Sequence, residues 1–247
     1  MAQVVSLSFY RFDSVWARAW ALTMMGGARP AMARVPGIGF WKLCGSGTGE
    51  GFTPRPNTAV YAILATWPDL QTAQDAHATA RIFARYRNRA SEDWTVYMTA
   101  SSVRGQWSGQ TPFIAGETDE TGPLAALTRA TIKPGILQRF WGRVPDISSV
   151  IGKDPNVMFK IGIGEVPWLH QVTFSIWPDA ARMANFARTG PHADAIRAVR
   201  DEGWFREELY ARFTLLTDEG SWGGCSPFPA RRRHETTLPL LGHRRSG

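Results

Sequence analysis

Alternating apolar and polar residues open the chain and predict a β-strand over residues 4–12. The spacing then changes to that of a helix, predicted over residues 14–33, whose apolar stripe comprises Trp16, Trp20, Met24 and Ala28. A second helix is predicted over residues 70–90, with Asp69 as its N-cap. Further strands are predicted at residues 40–43, 59–66 and 94–103. The resulting order, β-α-β-β-α-β, is the ferredoxin-like pattern.

Three short motifs of this first half return in the same order about 110 to 115 residues later. The pairs are Gly47-Thr48-Gly49-Glu50 with Gly162-Ile163-Gly164-Glu165, Trp67-Pro68-Asp69 with Trp177-Pro178-Asp179, and Gly105-Gln106-Trp107 with Gly220-Ser221-Trp222. The pattern of strands and helices also returns, with strands predicted at residues 124–132, 157–163, 169–176 and 210–217, and helices at residues 135–151 and after Asp179.

The repeated pattern predicts an α+β fold of two tandem ferredoxin-like repeats. The first repeat spans residues 1–109, a linker spans 110–122, the second repeat spans 123–224, and a basic tail spans 225–247. Because each sheet needs a partner for its uncovered face, we expect the two sheets to pack face to face as a dimeric α/β-barrel-like unit.

The net charge of +7 over 247 residues is concentrated in the tail. Residues 226–247 carry five arginines and one glutamate, which is +4, so the rest of the chain carries 7 − 4 = +3. The Pro- and Arg-rich tail is predicted to be disordered. It either solubilises the protein or attracts it weakly to anionic lipid. Nucleic-acid binding is not expected, because no recognition motif accompanies the charge.

Several classes of protein are disfavoured by what the chain lacks. No apolar run approaches the length of a membrane helix, and no signal peptide is recognisable at the N-terminus. Cys44 and Cys225 form no CxxC pair, so we expect free thiols in the cytoplasm. The glycine-rich residues 45–51 do not fit GxGxxG in any frame, and no Walker motif, nucleophile elbow or HExxH is present.

The second half has gained residues around Thr189-Gly190-Pro191-His192. Gly190 ends one helical piece and Pro191 suits the first position of another. The residues that follow His192 at helical spacing, Ala195, Ile196 and Val199, are small or apolar. The imidazole is therefore predicted to face the sheet with space around it. A lone histidine on an apolar face is either a core residue or a ligand, and neutral imidazole is the commonest haem-iron ligand from protein.

Other candidates carry less signal. His170 opens a strand at the position of Val60 in the first half, and is either a cavity residue or a polar strand end. Cys44 is a potential thiolate ligand but is better explained as a small buried residue. His77 is predicted to be exposed on its helix.

Two long strings resemble the spheroidene monooxygenase family, the acyclic carotenoid ketolases of photosynthetic bacteria. One string covers residues 37–52 and continues into residues 59–69. The other runs from His192 through Gly203-Trp204-Phe205-Arg206-Glu207-Glu208-Leu209-Tyr210 to Phe213. The similarity extends over about residues 4–224 and leaves the tail unexplained.

The resemblance implies a haem b-dependent monooxygenase that converts the C-2 methylene of carotenoids such as spheroidene into a ketone. It implies dioxygen as co-substrate and reduced ferredoxin as electron donor, and the chain itself has no flavin or nicotinamide motif. His192 is the candidate axial ligand. The candidate substrate-pocket residues are Arg129, Trp168, His170 and Phe174.

A carotenoid substrate is dissolved in lipid, so we expect peripheral contact with the photosynthetic membrane. Homodimerisation is left open. The alternatives are a non-catalytic haem- or lipid-binding module and a cofactor-free oxygenase on the same scaffold.

Overall fold

The computed structural model describes residues 2–49, 53–116, 122–142, 157–188 and 202–228. Within these ranges eight antiparallel strands form a closed barrel. The strands are β1 (Val4–Arg11), β2 (Trp41–Gly47), β3 (Pro56–Trp67), β4 (Glu92–Gly105), β5 (Leu124–Ile132), β6 (Phe159–Gly164), β7 (His170–Trp177) and β8 (Phe205–Gly220). Their order around the barrel is β1-β3-β2-β6-β7-β5-β8-β4.

Each half of the chain contributes four neighbouring strands in the same order, β4-β1-β3-β2 and β8-β5-β7-β6. A short ladder joins β2 to β6 through Gly45–Gly164 and Ser46–Ile163, and a long ladder joins β4 to β8. The sheets therefore meet edge to edge around the barrel, while their inner faces pack against each other through residues such as Phe9 and Phe174, so the expected barrel-like packing is confirmed. Among the described strands the barrel closes through these two ladders, so β4 and β8 pair along most of their length while β2 and β6 pair over two residues each.

The helices connect strands along the chain. They are α1 (Val15–Gly27), α2 (Arg29–Met32), α3 (Leu70–Thr79), α4 (Arg81–Arg87), α5 (described over residues 137–142, after a 3-10 turn at Pro134–Ile136) and α6 (Ala180–Arg188). Among the described residues, no helix is long and apolar enough to cross a membrane.

Side-chain caps fix where the helices begin. The N–H of Ala17 donates to Ser14 Oγ at 3.1 Å, and the N–H of Thr72 donates to Asp69 Oδ1 at 2.7 Å. In the second half the N–H of Arg182 donates to Asp179 Oδ1 at 2.7 Å. The two aspartate caps agree with the sequence prediction. The predicted helix over residues 70–90 is divided, because Ala80 has an extended backbone, with φ −72° and ψ 125°.

The barrel interior is a packed core and not a channel. Its largest side chains are Phe9, Trp94, Trp107, Phe174 and Phe213, which are at most 3% exposed. A second core lies between the outer face of the first half and α1–α4, and a small third one surrounds Leu124, Trp177 and Met183.

His77 belongs to the second core, so the prediction that it is exposed is wrong. It is 3% exposed, its Nε2 lies 3.1 Å from Ser6 Oγ, and its ring stacks on Phe83 with centroids 4.0 Å apart. Burial, aided by the charge of Arg87, lowers the pKa of His77 to about 3. The imidazole is therefore a neutral packing element at ordinary pH.

Candidate functional site

Glu165 gathers side chains from four separate segments at one end of the barrel. Its carboxylate accepts a hydrogen bond from Trp107 Nε1 at 2.6 Å and forms an ion pair with Lys42 Nζ at 2.8 Å. His170 Nδ1 lies 3.4 Å from Oε2, which is a contact and not a well-formed hydrogen bond, and Arg129 Nη2 lies 3.9 Å away. The motifs that repeat along the sequence thus meet here, because Glu165 ends one and Trp107 ends another.

Arg129 connects this carboxylate to a second one. Its side chain is 2% exposed and hydrogen-bonds to Glu207. Glu207 also accepts from the N–H groups of Ser108 at 3.0 Å and Gly109 at 2.6 Å. The guanidinium lies over the Trp107 ring, 5.7 Å from its centroid. Within the described residues Arg129 Nε is buried without a hydrogen-bond partner.

The two carboxylates of this cluster are ionised at neutral pH. Burial raises the pKa of Glu165, but the contacts with His170, Lys42 and Trp107 outweigh burial and hold its pKa at about 2. For Glu207, burial is likewise outweighed by the N–H groups of Gly109 and Ser108 and by Arg129, which lower the pKa. A carboxylate with so low a pKa is a poor general acid or base near pH 7. The cluster is therefore a network of ion pairs that joins the strands at one end of the barrel.

The opposite end carries a related arrangement. Glu92 accepts from the N–H of Gly224 at 2.8 Å and pairs with Arg11 at 2.8 Å, and Arg11 lies 4.5 Å from the ring centroid of Trp222. The interior differs between the two ends. Phe9 pairs with Ala62 and Trp94, and the corresponding residue of the second half is Arg129, which pairs with Val172 and Leu209. The buried guanidinium of Arg129 in the second half thus occupies the position that the buried ring of Phe9 has in the first half.

The outer face of the second-half sheet has lost bulk relative to the first half. Strand register gives the equivalent pairs: Tyr10–Tyr61 corresponds to Ala130–Gln171, Leu43–Ile63 to Gly162–Thr173, and Ser8–Ile63 to Thr128–Thr173. We call the residues Ala126, Thr128, Ala130, Gly162 and Thr173 the second-half shelf. Its members are glycine, alanine and threonine where the first half has large side chains at three of five sites.

The shelf is less covered than its counterpart at Thr128, while Ala130 and Gly162 are buried. Ser8 and its partner Thr95 are buried beneath the helices of the first half. Thr128 and its partner Tyr210 are exposed. At the edge of the shelf, Gln171 Nε2 is buried without a hydrogen-bond partner among the described residues. A surface with small side chains, and with a donor at its edge that has no partner among the described residues, can accommodate a ligand that has acceptor groups.

A groove of about 240 Å³ runs along the seam where β2 meets β6. Its lining includes Leu22 and Met25 of α1 and Trp141 of α5. The floor includes Gly45, Gly164 and Gln171, so the groove reaches the edge of the second-half shelf. Most of the lining is apolar, as in sites for apolar ligands.

Trp168 is fixed at the mouth of this groove. Its Nε1 donates to the carbonyl of Pro54 at 2.7 Å, and its own carbonyl accepts from Trp141 Nε1 at 3.1 Å. Its φ is +63°, a left-handed conformation that is rare for a tryptophan, while its side chain is 53% exposed. Strain of this kind persists where the surroundings enforce it, often at ligand sites.

The structure places the sequence candidates in three locations. Trp168 and His170 line the groove, Arg129 lies in the buried charge cluster, and Phe174 is fully buried in the barrel interior. His192, Ala195, Ile196 and Val199 lie outside the described residues. Their roles therefore stay predictions.

Cys44 is buried in the barrel interior, and burial raises the pKa of its thiol, as expected for a small core residue. Within the described ranges, no group of three or more His, Cys, Asp or Glu is arranged to hold a metal ion.

Sequence reasoning missed Glu165 and Gln171. Glu165 ends a repeated motif, so its position carried a signal that was not followed to its partners. The position of Gln171 carried no such signal. Its Nε2, which has no hydrogen-bond partner among the described residues, lies beside the groove only because of the register between strands.

No protein-family model matches the chain. The fold is shared with two solved structures of aldoxime dehydratase, one of them in complex with butyraldoxime. Both have a TM-score of 0.57 and cover 87% of this chain, at 10% and 11% identity over 82% and 80% of their own chains. The chain therefore has the α+β barrel architecture of that enzyme.

Relatives with much higher identity define the family. The spheroidene monooxygenase of Rhodobacter capsulatus is 50% identical over 92% of this chain and 96% of its own length. The enzyme of the same name from Cereibacter sphaeroides is 49% identical over 91% of this chain and 70% of its length. That from Rubrivivax gelatinosus is 35% identical over 84% and 80%. The chain belongs to the spheroidene monooxygenase family, and membership places it among the monooxygenases, a class of oxidoreductases.

Proposed function

We propose that the protein is a haem-dependent monooxygenase that introduces a keto group at C-2 of an acyclic carotenoid such as spheroidene. It uses dioxygen and takes electrons from reduced ferredoxin. In this proposal the chain comprises two ferredoxin-like repeats, of which the second has become the cofactor-binding half. The observation that supports it best is the second-half shelf, since family membership supplies the reaction class and the shelf supplies a place for a planar cofactor.

The described residues fit haem. The second-half shelf would help to hold the haem, because side chains the size of alanine and threonine allow close approach. The Gln171 amide, buried without an acceptor in the described part of the chain, would donate to an acidic group at the haem edge. His192 is the candidate axial ligand. Haem, when bound, supplies the activation of dioxygen that the side chains cannot provide.

The groove suits the substrate. An acyclic carotenoid is a long, narrow apolar chain, and the groove offers a mostly apolar lining that includes Gln171. Trp168 and Trp141, held by their hydrogen bonds, would orient one end of the polyene. Positioning of this kind determines which carbon reacts, because a reactive centre must be held within a few ångströms of its target. Two hydroxylations at C-2 followed by loss of water give the ketone.

The decisive experiment is the absorption spectrum of the purified chain reconstituted with haem b, recorded for wild type and for His192→Ala. We expect a Soret band in the wild type that shifts or disappears in His192→Ala. The matched control is His170→Ala, which removes a described imidazole that faces Glu165 and should leave the band unchanged. Loss of the band in His170→Ala alone would assign the ligand to His170.

Turnover is measured separately with spheroidene, reduced ferredoxin and oxygen. We expect a C-2 ketone in the wild type and none in His192→Ala. A haem band without product would instead indicate a non-catalytic haem or lipid carrier. Product without bound iron would indicate a cofactor-free oxygenase.

A further inference from the structure

Helix α1 presents an apolar face to its surroundings. The exposed residues of the helix fall on one side at helical spacing, namely Val15, Trp16, Ala19, Leu22, Thr23, Gly26 and Gly27. Val15 is 76% exposed, Trp16 86% and Leu22 59%. The hydroxyl of Thr23, the one polar side chain on this face, donates to the carbonyl of Trp20 at 2.7 Å. The opposite side of the helix is buried through Ala21 and Met24, so α1 has apolar side chains on both sides, and Arg18 is its one charged residue.

A helix of this kind is ordinarily found in a core or in contact with lipid. The apolar stripe predicted from the sequence is only partly buried, since Met24 and Ala28 are buried while Trp16 is exposed. An exposed tryptophan and leucine on a helix are typical of a segment that lies in the interface of a membrane. With 13 residues α1 is too short to span a bilayer, so it would lie on the surface.

The charge around α1 is positive. Between Ser14 and Gly49 the sequence has no acidic residue and four cations, of which Lys42 is paired with Glu165 and the other three are arginines. From the neighbouring α4, the exposed Arg89 lies 4.5 Å from the ring centroid of Trp20, and the exposed Arg85 reaches Met24 Sδ at 4.0 Å. The nearest carboxylate in sequence is the exposed Asp13, just before the helix. A cationic rim around an apolar face complements anionic lipid.

The same face continues into the groove. Leu22 is exposed on α1 and also lines the groove, whose mouth carries the exposed Val166 and Trp168. Apolar side chains therefore extend from the outer surface of α1 to the edge of the second-half shelf. A molecule dissolved in lipid could pass along this path without crossing water.

We infer that the exposed face of α1, together with Trp168, docks on the surface of an anionic lipid bilayer and opens the groove toward it. The inference rests on the proposed function in one respect, since a carotenoid substrate gives the groove a reason to face lipid. A second copy of the chain is a poorer occupant. A symmetric pair through α1 would bring the same arginines together, and like charges at a contact are unfavourable.

The test is co-sedimentation of the full chain with vesicles, one set of phosphatidylcholine alone and one with equal parts of phosphatidylglycerol. We expect binding to the anionic vesicles that weakens with salt. The double variant Trp16→Ser, Leu22→Ser should bind roughly tenfold more weakly, because both side chains lose apolar contact with the bilayer. The matched control is Ile114→Ser, which changes an isoleucine that is 67% exposed elsewhere on the surface. Circular dichroism checks that every variant is folded.

Two further variants separate the sources of binding. Arg85→Gln with Arg89→Gln should reduce binding to the anionic vesicles and leave the weak binding to neutral vesicles unchanged. Arg231→Gln with Arg232→Gln and Arg233→Gln tests the basic tail, and we expect the α1 variant to lose more binding than this one.

Three results would overturn the inference. These are no binding by the wild type, equal binding by the wild type and the α1 variant, and a dimer in light scattering that the α1 variant dissociates. The measurement needs neither haem nor turnover. Vesicle binding by an inactive chain would therefore support the docking surface while the proposed function failed.

Discussion

Glu165 shows how much one side chain depends on residues distant in sequence. Lys42, Trp107, Arg129 and His170 all converge on its carboxylate, and each comes from a different segment. Both cations are largely buried, with side-chain exposures of 16% for Lys42 and 2% for Arg129. Their charges would be costly without a counter-charge, so the carboxylate stabilises the barrel end by neutralising them.

Glu165→Gln should therefore lower the free energy of unfolding by about 2–4 kcal/mol at pH 7, because two buried cations lose their shared partner. The pKa of Glu165 falls from its ordinary value of 4.5 to about 2 on folding. The unfolded chain thus binds more protons between these values, and the contribution is fully present above pH 4.5 and disappears as pH falls toward 2. Denaturant unfolding at several pH values measures both effects.

The difference between wild type and Glu165→Gln should narrow as pH is lowered from 5 to 3. The control is Asp75→Asn, which changes an exposed carboxylate bonded only along its own helix, by Gln71 at 2.9 Å. A constant difference across this pH range would show that the carboxylate is not ionised in the way described.

At the scale of elements, the two halves use the same strand order for different purposes. In the first half, α1–α4 cover the sheet with aromatic and aliphatic side chains, and His77 fills the space over Ser6. In the second half the equivalent strands carry alanine, glycine and threonine, and Thr128 is exposed. The same strand order thus carries a large packed core on the first half and smaller side chains at three equivalent positions on the second.

Thr128→Trp should prevent a planar cofactor from lying on the second-half shelf while leaving the barrel folded, because Thr128 is exposed. We expect haem binding to weaken by roughly tenfold or more, as overpacking of about 1–3 kcal/mol would produce. Haem titration followed at the Soret band gives the affinity, and thermal unfolding without haem gives the stability.

The matched control for this substitution is Thr79→Trp, on the exposed end of α3 in the first half. It adds the same side chain away from the shelf and should leave haem affinity unchanged. An equal loss of haem affinity in both variants, or no loss in Thr128→Trp, would show that haem does not bind at the second-half shelf.

At the scale of the whole molecule, neither half can complete its fold alone. The barrel core draws Phe9, Trp94 and Val96 from the first half and Phe174, Ile176 and Phe213 from the second. The strands β2 and β4 would be bare edges without β6 and β8. The ladders and the shared core hold the halves together, and the linker adds Phe113, which is buried in this core with its ring 5.2 Å from that of Phe213.

Residues 1–121 and residues 122–247, expressed separately, should therefore aggregate or self-associate, because each exposes an apolar sheet face and two unpaired edges. Expressed together, they should form a soluble one-to-one complex with the circular dichroism spectrum of the intact chain. Size-exclusion chromatography with light scattering measures both outcomes. A monomeric, cooperatively folded half would contradict the shared core.

Much of the local structure could be predicted from sequence. Apolar alternation located β1 and β5 to within one residue at each end, and Asp69 and Asp179 cap their helices as expected. The exposed His77 was a wrong prediction, since helical spacing gives the side of a helix but not what covers that side. The groove and the second-half shelf could not be predicted, because both depend on register across strands far apart in the chain.

The sequence by itself determined the order of elements, the two related halves, the caps and the family. All of these can be recognised from the identity and spacing of residues within short segments of the chain. Only the tertiary structure decided that the sheets join by their edges, that Arg129 is buried between two carboxylates, and that the apolar side of α1 faces outward beside a groove. The physical reason is that burial, ionisation and access are properties of what a residue contacts, and those contacts form only when the barrel closes.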